Sequence, residues 1–122
     1  MYECLNIVTE PDGEPGCVLI RALAPLRGLE LMQSRRRRIC SIANLMNGPG
    51  KLTQAMGITR ALGGSDLTLG PLFVLDDGTT PENIDVTPRI GITQCVDWPL
   101  RFVVRSSPFV SRRVLVPNQN QS

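Results

Sequence analysis

A chain of 122 residues, 42% of them hydrophobic, is long enough to bury one core and too apolar to be disordered throughout. The net charge is only +2, but positions 31–65 contain no acidic residue, so one segment is locally positive and suits an anionic partner. Aromatic residues make up 4%, which is low for a complete enzyme that grips a flipped nucleobase between rings.

The thiols and the missing imidazoles exclude several kinds of chemistry. The chain has four cysteines without a CxxC pair and no histidine, so we expect no metal site, no cofactor and no Ser-His or Cys-His nucleophile. We expect reduced, mostly buried thiols. No apolar run approaches the roughly 20 residues of a membrane span, and the N-terminus does not resemble a secretory signal.

The first elements in the chain are predicted to form a hairpin. Residues 2–8 alternate between polar and apolar side chains, as in a strand. Residues 9–16 hold two prolines and two glycines, which are typical of a turn. Residues 17–22 then predict a second strand, antiparallel to the first.

Two helices are predicted next. Pro25 can open a helix that runs to Arg37, with Leu26, Leu29 and Met32 at helical spacing. A second helix follows residues 47–51, with Leu52, Ala55 and Met56 on one face and Gly57 at its C-terminal cap.

From residue 66 onward the pattern predicts short strands at 72–75, 89–92 and 100–104, bounded by Gly, Pro and Asp. Residues 117–122 are polar and predict a frayed tail. The whole indicates an α+β protein with a single domain over residues 1–116.

Two basic segments are candidates for anion binding, each with a plainer alternative. Asn47-Gly-Pro-Gly-Lys51 leads a glycine-rich turn into a helix, where free N–H groups and a lysine suit a phosphate oxygen. An ordinary capped helix with a solvated lysine gives the same pattern. The four arginines at 35–38 favour a solvated helix end, with DNA contact by one or two of them as the alternative.

Polar side chains interrupt both strands of the predicted hairpin. Asn6 lies on the first strand and Arg21 on the second. Such residues commonly face solvent. Alternatively they line a cavity, where an asparagine can both donate and accept hydrogen bonds to a base edge.

Several ordered blocks of the sequence resemble one family. MYECLN at 1–6 is similar to the family's MYxCxN strand, VLIRALAPLRGLE at 18–30 to VLIRALEPLEGLE, and NGPGKLTQAMGI at 47–58 to NGPGKLCQALGI. TPRIGI at 87–92, PLRF at 99–102 and SPFVS at 107–111 resemble further blocks in the same order. Over nearly its whole length, the chain resembles the alkyladenine (3-methyladenine) DNA glycosylases.

The resemblance implies a fold and an activity. The fold is a curved, mostly antiparallel sheet flanked by helices. The activity is hydrolysis of the N-glycosidic bond of an alkylated purine in double-stranded DNA, after the base has been flipped out. A glutamate activates the attacking water as a general base. In the family that glutamate and the base-gripping aromatic residues precede the MYxCxN strand, so we expect this chain to be the C-terminal part, with no catalytic residue of its own and inactive alone.

Site residues carried over by position fall into two groups. Asn6 corresponds to an asparagine that screens purines at their 2-amino position, and Arg21 to a base-pocket arginine near the attacking water. Other matching positions contact DNA. Met1 and Tyr2 correspond to residues in the minor groove, and Lys51 and Arg60 correspond to phosphate-binding positions.

The resemblance also implies a setting. The expected partner is duplex DNA carrying alkylated purines, and the expected state is a monomer away from membranes, in the cytoplasm at the nucleoid or in a eukaryotic nucleus. The alternative is a non-catalytic remnant that only holds DNA, or one with no function. An open sheet edge argues against a self-sufficient module.

Overall fold

The computed structural model describes residues 2–38 and 40–110, which divide into two compact units. The first unit lies within Met1–Asp76 and Phe109–Ser111, and the second within Asp77–Pro108. The helices and strands, in chain order, are β1 (Leu5–Val8), β2 (Cys17–Ile20), α1 (Leu29–Arg36), α2 (Pro49–Met56), β3 (Ile84–Thr87) and β4 (Arg101–Val104). Short 3-10 turns lie at Ile42–Asn44 and Arg60–Leu62.

The predicted N-terminal hairpin is confirmed. Strands β1 and β2 pair antiparallel, with Leu5 opposite Ile20 and Val8 opposite Cys17. Leu5 and Ile20 share one face and pack against the core of the first unit. Because side chains alternate along a strand, the opposite face carries Asn6 and its partner Leu19.

Helix α2 is also confirmed, together with its cap. Pro49 occupies the first helical position, and Gly57 follows the last with a left-handed φ of 69°. The Gly57 N–H donates to the Gln54 carbonyl at 3.3 Å and the Ile58 N–H to the Thr53 carbonyl at 2.9 Å. This pair of bonds is the Schellman arrangement, which satisfies carbonyls left over at the helix end.

A small core holds the first unit together. Its buried hydrophobic residues come from α2 and the segments on either side of it: Leu45, Met46, Leu52, Ala55 and Ile58. Helix α1 packs against α2, and Leu29 and Met32 contact the core from that side.

Helix α1 is shorter than predicted. The predicted start at Pro25 is wrong, because Gly28 has a φ of 73°, which a right-handed helix does not contain. The helix therefore begins at Leu29. It ends at Arg36, and Arg37 closes it in a left-handed conformation, with its N–H donating to the Ser34 carbonyl at 3.2 Å.

The arginine run is not simply a solvated helix end. Arg36 is only 6% exposed, and its Nη1 donates to the carbonyls of Asn44 at 2.8 Å and Leu45 at 2.9 Å. Arg35 donates from Nη1 to the Ala55 carbonyl at 3.1 Å. The prediction of a solvated end is therefore wrong for Arg36, whereas Arg35 is exposed as predicted although it also bonds to α2.

The second unit contains the other strand pair. Strands β3 and β4 are antiparallel, with Ile84 opposite Val104 and Thr87 opposite Arg101. The Arg105 guanidinium pairs with the Asp85 carboxylate at 2.8 Å. The predicted strand at 100–104 is confirmed from Arg101 onward, whereas β3 was not predicted.

Two other predicted strands are wrong. Residues 72–75 form no strand; instead the Val74 N–H donates back to the Leu67 carbonyl at 3.0 Å, which closes a loop. Residues 89–92 form no strand either, because Gly91 has a φ of 70° and Arg89 donates to the Gln94 carbonyl at 3.2 Å across a turn. Apolar runs beside glycine therefore gave two false strands.

The α+β class is confirmed, with helices and antiparallel strand pairs in two sheets. The expected tail at 117–122 and the domain end at 116 lie outside the described residues. The expectation of mostly buried thiols is wrong, because Cys4, Cys17 and Cys95 are exposed and Cys40 is half-buried. Across residues 2–38 and 40–110, no helix is long and apolar enough to cross a membrane.

Replacement of Arg36 by methionine tests the tie between α1 and the turn before α2. The variant leaves the buried Leu45 carbonyl and the partly buried Asn44 carbonyl without their charged donor, which typically costs about 1.5–3 kcal/mol. We expect the backbone amides of residues 44–52 to exchange their hydrogens about 10- to 100-fold faster. Arg38→Met, at an exposed position of the same segment, is the control and leaves exchange unchanged. Equal exchange in both variants contradicts the assignment.

Candidate nucleic-acid interface

The N-terminus of α2 is the first part of the candidate site. Gly48 precedes the helix in an extended conformation and has no side chain to cap it, and the first turn carries no acidic residue. The first N–H groups of a helix have no partner within the helix, and they carry a partial positive charge. This end of α2 therefore presents donors that suit a phosphate oxygen.

Lys51 stands in that first turn and is held in place. Its Nζ donates to Oδ1 of Asn47 at 3.0 Å, and Nδ2 of Asn47 donates to Oδ1 of Asn44 at 2.8 Å. Asn47 is 7% exposed, whereas Lys51 is exposed. The ammonium group is thus oriented by a buried amide while its other two protons remain available for an anion.

The N-terminal residues lie against the same helix turn. A Cβ added to Gly50 would be 2.7 and 2.8 Å from Cδ2 and Cδ1 of Tyr2, so the ring rests directly on the glycine. The Thr53 hydroxyl donates to the Glu3 carbonyl at 2.9 Å. Tyr2 itself remains 65% exposed. An exposed aromatic ring beside a phosphate-binding helix end suits contact with nucleic acid.

These residues border an open groove of about 600 Å³. Its lining includes Tyr2, Gly50 and Lys51 together with the arginines Arg36 and Arg38. Among the described residues that line it, Glu3 alone has a carboxylate. The groove is therefore predominantly basic.

Arg60 lies close to the same N-terminal segment. Its Nε is 3.4 Å from Oε2 of Glu3, and the two side chains are 87% and 41% exposed. An exposed ion pair of this kind contributes little stability, so a phosphate can replace the carboxylate.

Asn6 and Arg21 lie on the hairpin and not in the groove. Asn6 is exposed, and its Oδ1 accepts a long 3.9 Å contact from the Cys17 thiol. Arg21 is half-buried and directly follows β2, two positions after Leu19. The alternation of the strand places Arg21 on the same face as Asn6. Met1, the remaining predicted DNA contact, lies outside the described residues.

Sequence reasoning missed Thr53 and did not predict that Arg36 is buried. Arg36 lies seven positions after Leu29 and four after Met32, the spacing of one helical face, which was an available signal for its burial. No sequence signal shows that the Thr53 hydroxyl reaches a carbonyl 50 positions away.

Two carboxyl groups have shifted pKa values, and both lie in turns outside the groove. The Thr68 hydroxyl and N–H hold the pKa of Asp66 below its ordinary value. The Thr79 hydroxyl and N–H lower the pKa of Asp77 in the same way. A general base that works near neutral pH benefits from a raised pKa, so these groups are poor candidates for that role. In the described part of the chain, no cluster of three or more His, Cys, Asp or Glu could hold a metal ion.

A basic groove at a helix end, with an exposed aromatic ring, defines a candidate DNA-binding surface on an α+β protein. The family described as Methylpurine-DNA glycosylase (MPG) matches residues 1–108 of this chain. The chain belongs to that family.

Relatives from archaea and bacteria agree with this assignment. The chain is 48% identical over 117 residues to a protein of Methanoculleus marisnigri, with 93% of this chain and 60% of the relative covered. It is 46% identical over 118 residues to one of Prosthecochloris aestuarii, with 95% and 56% covered. It is 48% identical over 112 residues to a protein of Lactiplantibacillus plantarum, with 88% of this chain and 53% of the relative covered. Each is named "Putative 3-methyladenine DNA glycosylase".

The chain spans little more than half the length of these relatives, between 53% and 60%. The matched part includes the β1–β2 hairpin, both helices and the β3–β4 pair.

Proposed function

We propose that this chain supplies the DNA-binding and purine-screening part of a methylpurine-DNA glycosylase. The substrate is double-stranded DNA that carries an alkylated purine of the 3-methyladenine type. The reaction is hydrolysis of the N-glycosidic bond after base flipping, the first step of base-excision repair. The proposal places a monomer at DNA, in the cytoplasm of a prokaryotic cell. The family match and the basic groove support it.

The groove carries the phosphate contacts in this proposal. Lys51 and the first-turn N–H groups of α2 bind one phosphate, and Arg60 binds a second after it leaves Glu3. Tyr2 has an exposed ring, which we assign to the DNA minor groove, and Met1 is the second minor-groove contact of the proposal. Contacts to phosphates position a protein on DNA without selecting a sequence.

The outer face of the hairpin carries the base contacts. The Asn6 amide screens a flipped purine at its 2-amino position, which adenine-type bases lack. Arg21 lies on the same face, near the water that attacks the glycosidic bond. Exposure of Asn6 in this chain supports a role in contact with a ligand and not in packing.

The general base has no candidate on this face. Neither β1, with sequence LNIV, nor β2, with sequence CVLI, contains a carboxylate. Glu3 and Glu10 are the carboxylates nearest to β1 along the chain, two positions before and two after it. Glu3 pairs with Arg60 at 3.4 Å, and Glu10 lies exposed in the hairpin turn. We propose that the glutamate that activates water belongs to the part of the relatives that this chain does not match. A DNA-holding role without catalysis is the second candidate, and the same lack of a carboxylate favours it.

Binding to undamaged duplex DNA tests the phosphate contacts. We expect weak, sequence-independent binding whose affinity falls with salt, with a log-log slope on the order of −2 to −4 for two to four contacts. Lys51→Ala should weaken binding about three- to tenfold for every sequence and make the slope shallower by about 1. Fluorescence anisotropy over a salt series measures both.

Two controls separate a specific contact from bulk charge. Arg27→Ala removes the same unit charge from an exposed position outside the groove lining and should leave the slope nearly unchanged. Asn6→Ala removes a base contact and should not alter non-specific binding. If Lys51→Ala binds like the original chain, the lysine is only a solvated helix residue and the phosphate site is wrong.

Base release tests the catalytic half of the proposal. The chain alone should not release 3-methyladenine or 7-methylguanine from methylated duplex DNA over repeated turnovers, because general-base assistance, worth about 10²–10⁴ in rate, is missing. Chromatography of free bases over time measures the release. Multiple-turnover release that survives Glu3→Gln would show that another group of this chain is the base.

A further inference from the structure

One hydroxyl joins the two parts of the groove. Thr53 is 2% exposed, so it does not touch a ligand. Its Oγ1 proton is shared between the Gly50 carbonyl at 3.1 Å, within its own helix, and the Glu3 carbonyl at 2.9 Å. The first bond is an ordinary one for threonine in a helix, whereas the second links α2 to the segment that precedes β1.

The linked segment carries the exposed ring. Glu3 adjoins Tyr2, and the Tyr2 ring rests on Gly50 one turn before Thr53. Among the described residues, Glu3 also forms an exposed ion pair with Arg60, which contributes little stability. The buried hydroxyl is therefore the stronger tie, because loss of a buried bond leaves a carbonyl without its partner.

We propose that Thr53 is a positioning residue that holds Tyr2 against the first turn of α2, so that the Tyr2 ring and Lys51 meet DNA as one preorganised surface. The proposal rests on the DNA binding proposed above. An ordered side chain costs less affinity than one that must be immobilised on binding, by about two- to tenfold.

Matched variants separate the hydroxyl from the shape of the side chain. Thr53→Val keeps the shape and removes the donor, Thr53→Ser keeps the donor, and Thr53→Cys keeps a weaker one. The Gly50 Hα resonances report Tyr2 without any DNA, because an aromatic ring resting on this carbon shifts them upfield. Tyr2→Leu gives the unshifted reference, and Tyr2 is the only tyrosine of the chain.

We expect the ring-induced shift to be retained in Thr53→Ser, reduced in Thr53→Cys and lost in Thr53→Val. For duplex DNA, Thr53→Val should weaken binding about three- to tenfold, the range expected for one buried hydrogen bond, while Thr53→Ser stays within about twofold of the original chain. Tyr2→Ala should weaken binding in the original chain and have little further effect in Thr53→Val, because coupled residues are not additive.

The outcomes that overturn the proposal are distinct. If Thr53→Val keeps the ring-induced shift of the Gly50 Hα resonances, the hydroxyl is not needed to hold Tyr2, and the proposal is overturned. If the serine and valine variants lose the Gly50 shift and DNA affinity to the same extent, the effect comes from packing, and the proposal is overturned as well. If circular dichroism shows that Thr53→Val is unfolded, the Gly50 shifts of the other two variants are compared instead. A shift in Thr53→Cys as large as that in Thr53→Ser then overturns the proposal. Absence of DNA binding by the original chain would refute the proposed function, whereas the Gly50 resonances would still report the positioning.

Discussion

The buried guanidinium of Arg36 fixes the turn from which helix α2 starts. It donates to the carbonyls of Asn44 and Leu45. Leu45 and the next residue, Met46, belong to the core, and Asn47 follows them. Asn47 in turn holds Lys51. A charged side chain is costly to bury without partners, so this arrangement persists only because two carbonyls accept its hydrogen bonds. The start of α2, and with it the proposed anion site, depends on that contact.

The proposed DNA binding of this nearly neutral chain relies on a local arrangement of charge. The net charge is only +2, so bulk attraction for DNA is weak. The helix end, Lys51 and Arg38 are nevertheless gathered along one groove, and Arg60 lies beside it on Glu3. Glu3 both neutralises Arg60 and, through its backbone, receives the Thr53 bond. One residue thus restrains the N-terminal segment without blocking Lys51.

Local sequence signals predicted the elements whose determinants are local. The glycine-rich turn before it and the glycine at its end marked α2, and alternation marked β1. The false strands at 72–75 and 89–92 arose because apolar runs resemble strands when no pairing partner is known. The β3 sequence IDVT was missed for the converse reason, since its pairing with β4 across a long loop decides it. Local pattern made Lys51 and Asn6 candidates, and family resemblance favoured a functional role for them over the plainer alternatives. Thr53 depends on a contact across 50 positions that no local pattern encodes.

The central claim is that DNA phosphates bind at the N-terminus of α2, and amide resonances measure it most directly. Titration of the isotope-labelled chain with a short undamaged duplex should shift the amides of Gly48, Gly50 and Lys51 most, and added salt should reverse the shifts. The acidic hairpin turn at residues 10–14 should not respond. Salt-insensitive shifts, or shifts centred away from α2 with these three amides unchanged, would contradict the account.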